Sequence, residues 1–382
     1  MTGGGSGGHV TPLLSLAHEL KSRSPDSEII YIGHKGDKFD TLQQTSHDFD
    51  FMAFIKAGKF RRYYGGITKG IFHPRTMLLN SRDLARIPGS IMMSLRVLRK
   101  FKPDVIFSKG GFVAVPVCAA GRLLGIPIIT HDSDTVPGLA NRMAGRWAKI
   151  HATGMPPQYY SYPEKSIEYT GIPLDERIKK VTPKLQKQAK EHLKLPPDGR
   201  VLLVSGGGNG SRRLNELMLA IAPELLEEDL SLHIIHICGS AHEAEVKESY
   251  KKLPQPARKR VMAMGYSPDF YELVAAADVV ISRAGATTLA ELAASGKAAI
   301  VVPAPFLTGG HQTKNADELA SRDAIVVAPD EVRPDELLVL VKSLLSDDHR
   351  RFQLARNLFA TAKTDAAAKL AELILDVAAG DR

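Results

Sequence analysis

Cysteine is nearly absent from this chain. Of 382 residues only Cys118 and Cys238 are cysteines, each inside an apolar segment and far from any partner motif. Disulfide pairing and thiolate metal sites are therefore not expected, and a reducing cytoplasm fits. Long apolar runs are also lacking: none approaches the roughly 18 residues needed to cross a bilayer. No signal-peptide pattern opens the sequence. Any membrane contact is therefore expected to be peripheral. A dinucleotide fingerprint is met only loosely by Gly206–Ser211, since that site wants G-x-G-x-x-G after a strand and an acidic residue about 20 positions on.

What is present is a hydrophobic content of 44%, ample for two packed cores in a chain of this length. Lys and Arg number 50 against 42 Asp and Glu, a formal charge of +8. That balance suits an acidic partner: nucleic acid, an anionic membrane face or a phosphorylated substrate. Nucleic acid has only the net charge in its favour and is not expected as a partner.

Short β-rich runs alternate with helical segments. Candidate strands in the first half are Ile29–Ile32, Asp50–Ile55, Val105–Ser108, Ile126–Thr130 and Ile150–Thr153. After a joint at Gly171–Ile172–Pro173 the pattern restarts with Val201–Ser205, Leu232–Ile237, Arg260–Ala263, Asp278–Ser282, Ala298–Val302 and Ala324–Val327. Their apolar character is continuous rather than alternating, which predicts parallel strands covered on both faces. The predicted fold class is α/β, with two doubly wound, Rossmann-like domains facing across a cleft. Residues 1–170 are expected to form the N-terminal domain and residues 171–360 the C-terminal domain. Residues 361–382 form a terminal helix (Ala366–Ala378, capped by Asp365) that packs back toward the first.

A near-repeat supports two halves. G-G-G-S-G-G at Gly3–Gly8 opens the first and G-G-G-N-G-S at Gly206–Ser211 the second, each leading into a helix (Leu13–Lys21 and Arg213–Leu226). Pro12 suits a first helical turn, where its missing N–H costs nothing. A clear strand precedes the second loop, but only Met1 and Thr2 precede the first. The central first strand is thus expected to be missing at the N-terminus, through a late start or a truncation.

The richest stretch runs from Ser282 to Ala316. A buried strand enters the turn Ser282–Gly285, and a helix follows whose first amides belong to Ala286, Thr287 and Thr288. Those N–H groups and the positive end of the helix dipole make a site for a phosphate or diphosphate. Glu291 can accept bonds from a vicinal diol such as a ribose, and Gln312 and Asn315 suit sugar hydroxyls. Diphosphate, ribose and sugar together indicate a nucleotide-sugar.

G-G-G-S-G-G-H-V-T-P at Gly3–Pro12, S-K-G-G-F-V at Ser108–Val113, H-D-S-D-T-V-P-G-L-A-N-R at His131–Arg142, the second glycine loop, R-A-G-A-T-T-L-A-E and H-Q-T-K-N-A occur in one order. That order resembles the bacterial MurG family, the undecaprenyldiphospho-muramoylpentapeptide N-acetylglucosaminyltransferases that make lipid II from lipid I. The resemblance covers nearly the whole chain. It implies a two-lobed GT-B fold, UDP-N-acetylglucosamine as donor, undecaprenyl-linked lipid I as acceptor, inversion at the anomeric carbon, and no metal or other cofactor. It further implies a peripheral protein on the cytoplasmic face of the bacterial cell membrane.

Carried over by position, the resemblance places the donor on the second lobe, with Glu291 on the ribose, Gln312 on the sugar hydroxyls and Tyr266 against the uracil. His311 stands where the family has a second Gln, and Gly208 and Asn209 replace the usual Ser–Gln. The family's Arg after G-N-P-V is missing, and Arg177 is the candidate substitute at the diphosphate. The acceptor falls to the first lobe, with backbone amides of Ser6, Gly7, Gly8, Gly110 and Gly111 on the lipid diphosphate and Lys109 nearby. His9 is the first candidate for general base. Asp134, where H-D-S-D departs from the family's H-E-Q-N, is a second candidate or a contact to the acceptor sugar. Asp132-Ser133-Asp134 fits the letters of a metal-binding D-x-D but lies in the acceptor lobe.

Lys56, Lys59, Arg61, Arg62 and Lys69 interleave with Phe60, Tyr63, Tyr64 and Ile67, and Ile71, Phe72, Met77 and Leu78 follow. That mixture suits an anionic membrane surface. Three other readings stay open: a glycosyltransferase acting on another lipid such as diacylglycerol, a UDP-N-acetylglucosamine epimerase, and a non-enzymatic nucleotide-sugar sensor.

Overall fold

Twelve parallel strands carry the architecture, and a computed structural model describes them within residues 1–4, 7–36, 47–58 and 74–381. The chain divides into two units. The first holds Met1–Asp175, Phe306–Gly309 and Lys363–Arg382; the second holds Glu176–Pro305 and Gly310–Ala362.

In the first unit β1 (Ile30–His34) pairs with β2 (Phe51–Ile55). A run of four follows: β3 (Ile106–Ser108), β4 (Ile128–Asp132), β5 (Ile150–Thr153) and β6 (Ile167–Tyr169). Met1 and Thr2 join the two groups. Ile32 N donates to Met1 O at 2.9 Å, Thr2 N to Phe107 O at 2.9 Å and Lys109 N to Thr2 O at 2.9 Å. Neighbouring residues on each strand serve opposite faces. Tyr31, Phe107 and Ile129 pack with Leu13, Leu16 and Leu20 of the helix Gly7–Arg23 and with Leu370, Leu373, Ile374 and Val377 of the terminal helix. Ile32, Ile106 and Ile128 pack on the other side with Leu95, Leu98, Val113 and Val117. This two-sided burial explains the unbroken apolar runs. The short I-E-Y of β6, half exposed, gives no such run, and the sequence pattern missed it.

The first helix begins at Gly7 rather than Leu13, so Pro12 lies inside it. Pro12 removes the hydrogen bond its N–H would have made to Gly8, near the start of the helix where few such bonds are lost. The terminal helix runs Ala366–Ala379, and Asp365 makes no side-chain cap. Its carboxylate pairs instead with Lys369 at 2.8 Å.

The second unit has β7 (Arg200–Ser205), β8 (Leu232–Ile237), β9 (Val261–Met264), β10 (Val279–Ser282), β11 (Ala299–Val301) and β12 (Val326–Val327). Their order is β12-β11-β10-β7-β8-β9, all parallel. Leu202 and Val204 face one core, Val201 and Leu203 the other. Full burial of each such side chain contributes roughly 1.5–3 kcal/mol. The order reverses between β7 and β10, and in such sheets ligands bind beyond the carboxyl ends at that reversal.

Candidate functional site

Two loops rise at the reversal in the second unit. After β7 the chain turns through Gly206–Ser211, with Gly207 and Gly210 at φ +78 and +75. A Cβ on Gly210 would overlap the carbonyl oxygen of Cys238, so the loop can pass β8 only with glycine there. Gly208 and Asn209 are exposed at its crest. Ser211 then caps the helix Arg212–Glu228 by accepting from Leu214 N at 3.3 Å.

After β10, Gly285 is the N-cap of the helix Ala286–Ser295, which Gly296 closes at φ +63. No side chain caps its start and no acidic residue lies in its first turn. The first-turn amides of Ala286, Thr287 and Thr288 are therefore left without a side-chain cap or a first-turn carboxylate of their own helix. Glu291 is half-buried further along the same helix. Tyr266, after β9, is 47% exposed. Burial, then Glu291, then Asp269 push the Tyr266 hydroxyl up, which places Tyr266 and Glu291 in one electrostatic neighbourhood. Arg177 lies beside Asp269 at 3.5 Å and stands 4.4 Å over the Tyr271 ring, so its charge is partly engaged there.

His311 opens the helix His311–Ala320. Gln312 Oε1 accepts from Ala304 N at 3.0 Å, which turns its NH2 end away from that backbone. Asn315, expected at sugar hydroxyls, is instead fully buried and donates to Ala284 O at 3.1 Å. It fixes the Ser282–Gly285 turn.

The sequence reading missed Arg283. Its Nε donates to Ser211 Oγ at 2.9 Å, and its Nη1 donates to Val302 O at 3.0 Å, Pro303 O at 3.2 Å and Asp330 at 2.5 Å. One buried guanidinium thus ties the loop after β7 to the turn after β10. The available signal was an arginine at an otherwise apolar strand end, which must be paired if it is buried.

In the first unit the loop after β3 carries Gly110 and Gly111 at φ +91 and +82. A Cβ on Gly111 would lie 2.5 Å from Gly4 O, so the two glycine loops of this unit touch. Gly7 and Gly8 open the first helix, and with His9 they hold amides that have no partner within the helix itself. Ser6 and the His9 imidazole lie outside the described residues.

Lys109, expected near a lipid diphosphate, is 2% exposed and donates to Ser133 Oγ at 2.6 Å. Its ammonium points into the H-D-S-D segment. Asp132 is 4% exposed and accepts from Asn141 Nδ2 and the Tyr162 hydroxyl, each at 2.9 Å. Burial raises its pKa. His131 is fully buried on Gly171 O at 2.8 Å, and burial and then Lys109 hold its pKa well below the usual range. Asp134 is half-buried, with its carbonyl accepting from Tyr160 at 3.0 Å. Among the described residues no group of three His, Cys, Asp or Glu is arranged to hold a metal ion.

The second unit is Rossmann-like with two amide-bearing loops, and the first carries two touching glycine loops. Residues 1–153 match the glycosyltransferase family 28 N-terminal domain and residues 201–370 its C-terminal domain. The chain is similar to the UDP-N-acetylglucosamine–N-acetylmuramyl-(pentapeptide) pyrophosphoryl-undecaprenol N-acetylglucosamine transferase of Listeria welshimeri, 32% identical over 379 residues, 99% of this chain and 98% of that one. It is 33% identical to the same-named protein of Halothermothrix orenii, over 99% of this chain and 98% of that one. Among solved structures, MurG of Acinetobacter baumannii superimposes with a TM-score of 0.70 at 24% identity, covering 98% of both chains. The S. aureus MnaA-UDP co-structure superimposes at 0.68 with 12% identity, over 98% of this chain and 95% of that one. These two share the fold. The chain belongs to the family of pyrophosphoryl-undecaprenol N-acetylglucosamine transferases, the MurG family.

Proposed function

We propose that this chain transfers N-acetylglucosamine from UDP-N-acetylglucosamine to the 4-hydroxyl of the MurNAc-pentapeptide of lipid I, giving lipid II. The observation that carries this reading is the full-length similarity to transferases of that name, joined to a second unit whose loops suit a diphosphate. The acceptor oxygen attacks the anomeric carbon as the bond from that carbon to the UDP oxygen breaks, with inversion. His9 accepts the hydroxyl proton, with Asp134 as the competing base. The amides of Ala286–Thr288 and their helix dipole take up the charge growing on UDP. Glu291 holds the ribose, Tyr266 the uracil, and His311 and Gln312 the sugar. Gly208 and Asn209 lie along the diphosphate, with Arg177 at its edge. The amides of Ser6, Gly7, Gly8, Gly110 and Gly111 take the lipid diphosphate.

Turnover is expected without a metal; activity lost in EDTA and restored by magnesium would refute that. The direct test is transfer of labelled N-acetylglucosamine to lipid I in detergent, with diacylglycerol as a parallel acceptor. Product on lipid I supports the reading, and abolition by either His9→Ala or Asp134→Asn assigns the base. Product on diacylglycerol alone, or UDP release with no acceptor, would replace it.

The protein is further proposed to sit peripherally on the cytoplasmic membrane face. Among the described residues no helix is long and apolar enough to cross a membrane. Met77, Leu78, Leu84, Met92 and Met93 are exposed on the helices Pro74–Ala85 and Ile87–Phe101, beside exposed Arg82, Arg86, Arg96 and Arg99. Apolar and basic side chains so mixed suit anionic lipid. Arg61 and Arg62 of the adjoining segment lie outside the described residues. Neutralising both should weaken binding to anionic vesicles, and unchanged binding would remove that segment from the contact.

A further inference from the structure

Lys109 has a buried charge and no exposed face from which to serve a large ligand. Its backbone N–H is fixed on Thr2 O at 2.9 Å and its ammonium on Ser133 Oγ at 2.6 Å. Asp132 and Asp134, the neighbours of Ser133 in the chain, both act on it. Lys109 is the cation acting on Asp132, whose hydrogen-bond partners Asn141 and Tyr162 are neutral. The other titratable groups facing this cluster bring little compensating charge. His131 is held neutral by burial. Tyr160 and Tyr162 are held protonated by burial and by Asp132, with Arg142 acting on Tyr162 in the opposite sense.

We propose that Lys109 is a positioning residue for the transfer, its ammonium setting Ser133 and the flanking aspartates in their working arrangement, so that turnover requires it protonated. Losing that proton leaves the two carboxylates of one segment without the cation that acts on both, and like charges in one segment repel. It also weakens the donor on Ser133, since bonds from charged groups are roughly twice as strong as neutral ones. Burial lowers the Lys109 pKa to about 8, against the pull of Asp132 and Asp134. The loss therefore falls within an accessible pH range.

The inference rests on the acceptor reading of the first unit. Its test is kcat between about pH 6 and 10 with saturating UDP-N-acetylglucosamine and lipid I. Wild-type kcat should fall about tenfold per unit above roughly pH 8. Lys109→Met should lower kcat at neutral pH by at least about tenfold and flatten the alkaline limb. Lys109→Arg should keep activity and carry the fall beyond about pH 10, because a guanidinium stays charged. Ser133→Ala removes the bond but keeps the charge, and should move the midpoint down. An alkaline midpoint unmoved in both Lys109→Arg and Ser133→Ala, or wild-type kcat in Lys109→Met, would overturn the proposal. Cooperative thermal unfolding with the wild-type amplitude reports that each variant is folded in both units. Variants that change KM for UDP-N-acetylglucosamine but not for lipid I would overturn the acceptor assignment itself.

Discussion

Replacing Gly111 by alanine tests whether the two glycine loops of the first unit work as one cradle. Gly111 sits at φ +82, and its new Cβ would lie 2.5 Å from Gly4 O and 3.2 Å from Gly4 N. Holding alanine in the left-handed region costs about 1–2 kcal/mol. Relieving the overlap needs a shift of roughly 0.7 Å, and overpacking of that kind costs about 1–3 kcal/mol. The shift cannot spread backward. Gly3 O is held by the Tyr31 hydroxyl at 2.5 Å, and Thr2 is bonded to Phe107 and Lys109 on one side and to Ile32 on the other. Displacement therefore falls on Gly4 and on the Gly110–Gly111 turn, where the two glycine loops meet. About 2 kcal/mol expressed at the acceptor corresponds to a roughly 30-fold loss in kcat/KM for lipid I. Initial rates against lipid I at saturating donor measure it, with UDP affinity by calorimetry as the control. UDP affinity should stay within about twofold, because the substitution leaves the second unit untouched. Wild-type kcat/KM together with unchanged thermal unfolding would refute the reasoning.

Three further outcomes follow from the second unit. Gly210→Ala, at φ +75 and against Cys238 O, should displace the loop after β7 and abolish measurable UDP binding while acceptor affinity persists. Asn315→Ala leaves Ala284 O without its side-chain donor, which should cost about 1–3 kcal/mol in denaturant unfolding and raise KM for UDP-N-acetylglucosamine. Lys297 donates to Ala275 O and Ala277 O, and burial lowers its pKa to about 7. Between about pH 7 and its unfolded value near 10.4 the unfolded chain binds more protons, so stability should rise with pH in that window. Lys297→Met should remove that rise, and a pH-independent gap between the two proteins in urea unfolding would contradict it.

The strand, turn and helix start of the proposed donor side were legible in the chain because they are local. The turn Ser282–Gly285 and the amides of Ala286, Thr287 and Thr288 are neighbours in sequence, and strand, glycine turn and helix start leave a readable pattern. The acceptor side was less so. Lys109 reads as a cation near the lipid diphosphate, beside a glycine pair, yet β3 and β4 deliver its ammonium to Ser133, 24 positions on. Asn315 reads as a sugar ligand and is a buried brace; Arg283 reads as part of a motif and is a staple between loops 72 residues apart.

The sequence by itself determined the fold class. Continuous apolar runs demand strands covered on both faces, and runs alternating with helices demand parallel connections. It also marked where the chain can bend, since glycine takes the positive φ of Gly110, Gly111, Gly207 and Gly210 without the steric cost a side chain would add. Only the tertiary structure decided which elements meet. It set β7 beside β10, brought Gly111 against Gly4, placed the terminal helix against the first one, and turned Lys109 inward. Those contacts join residues far apart in the chain. Local pattern fixes each element's face and period, while the partner of that face is chosen by the packing of the whole unit.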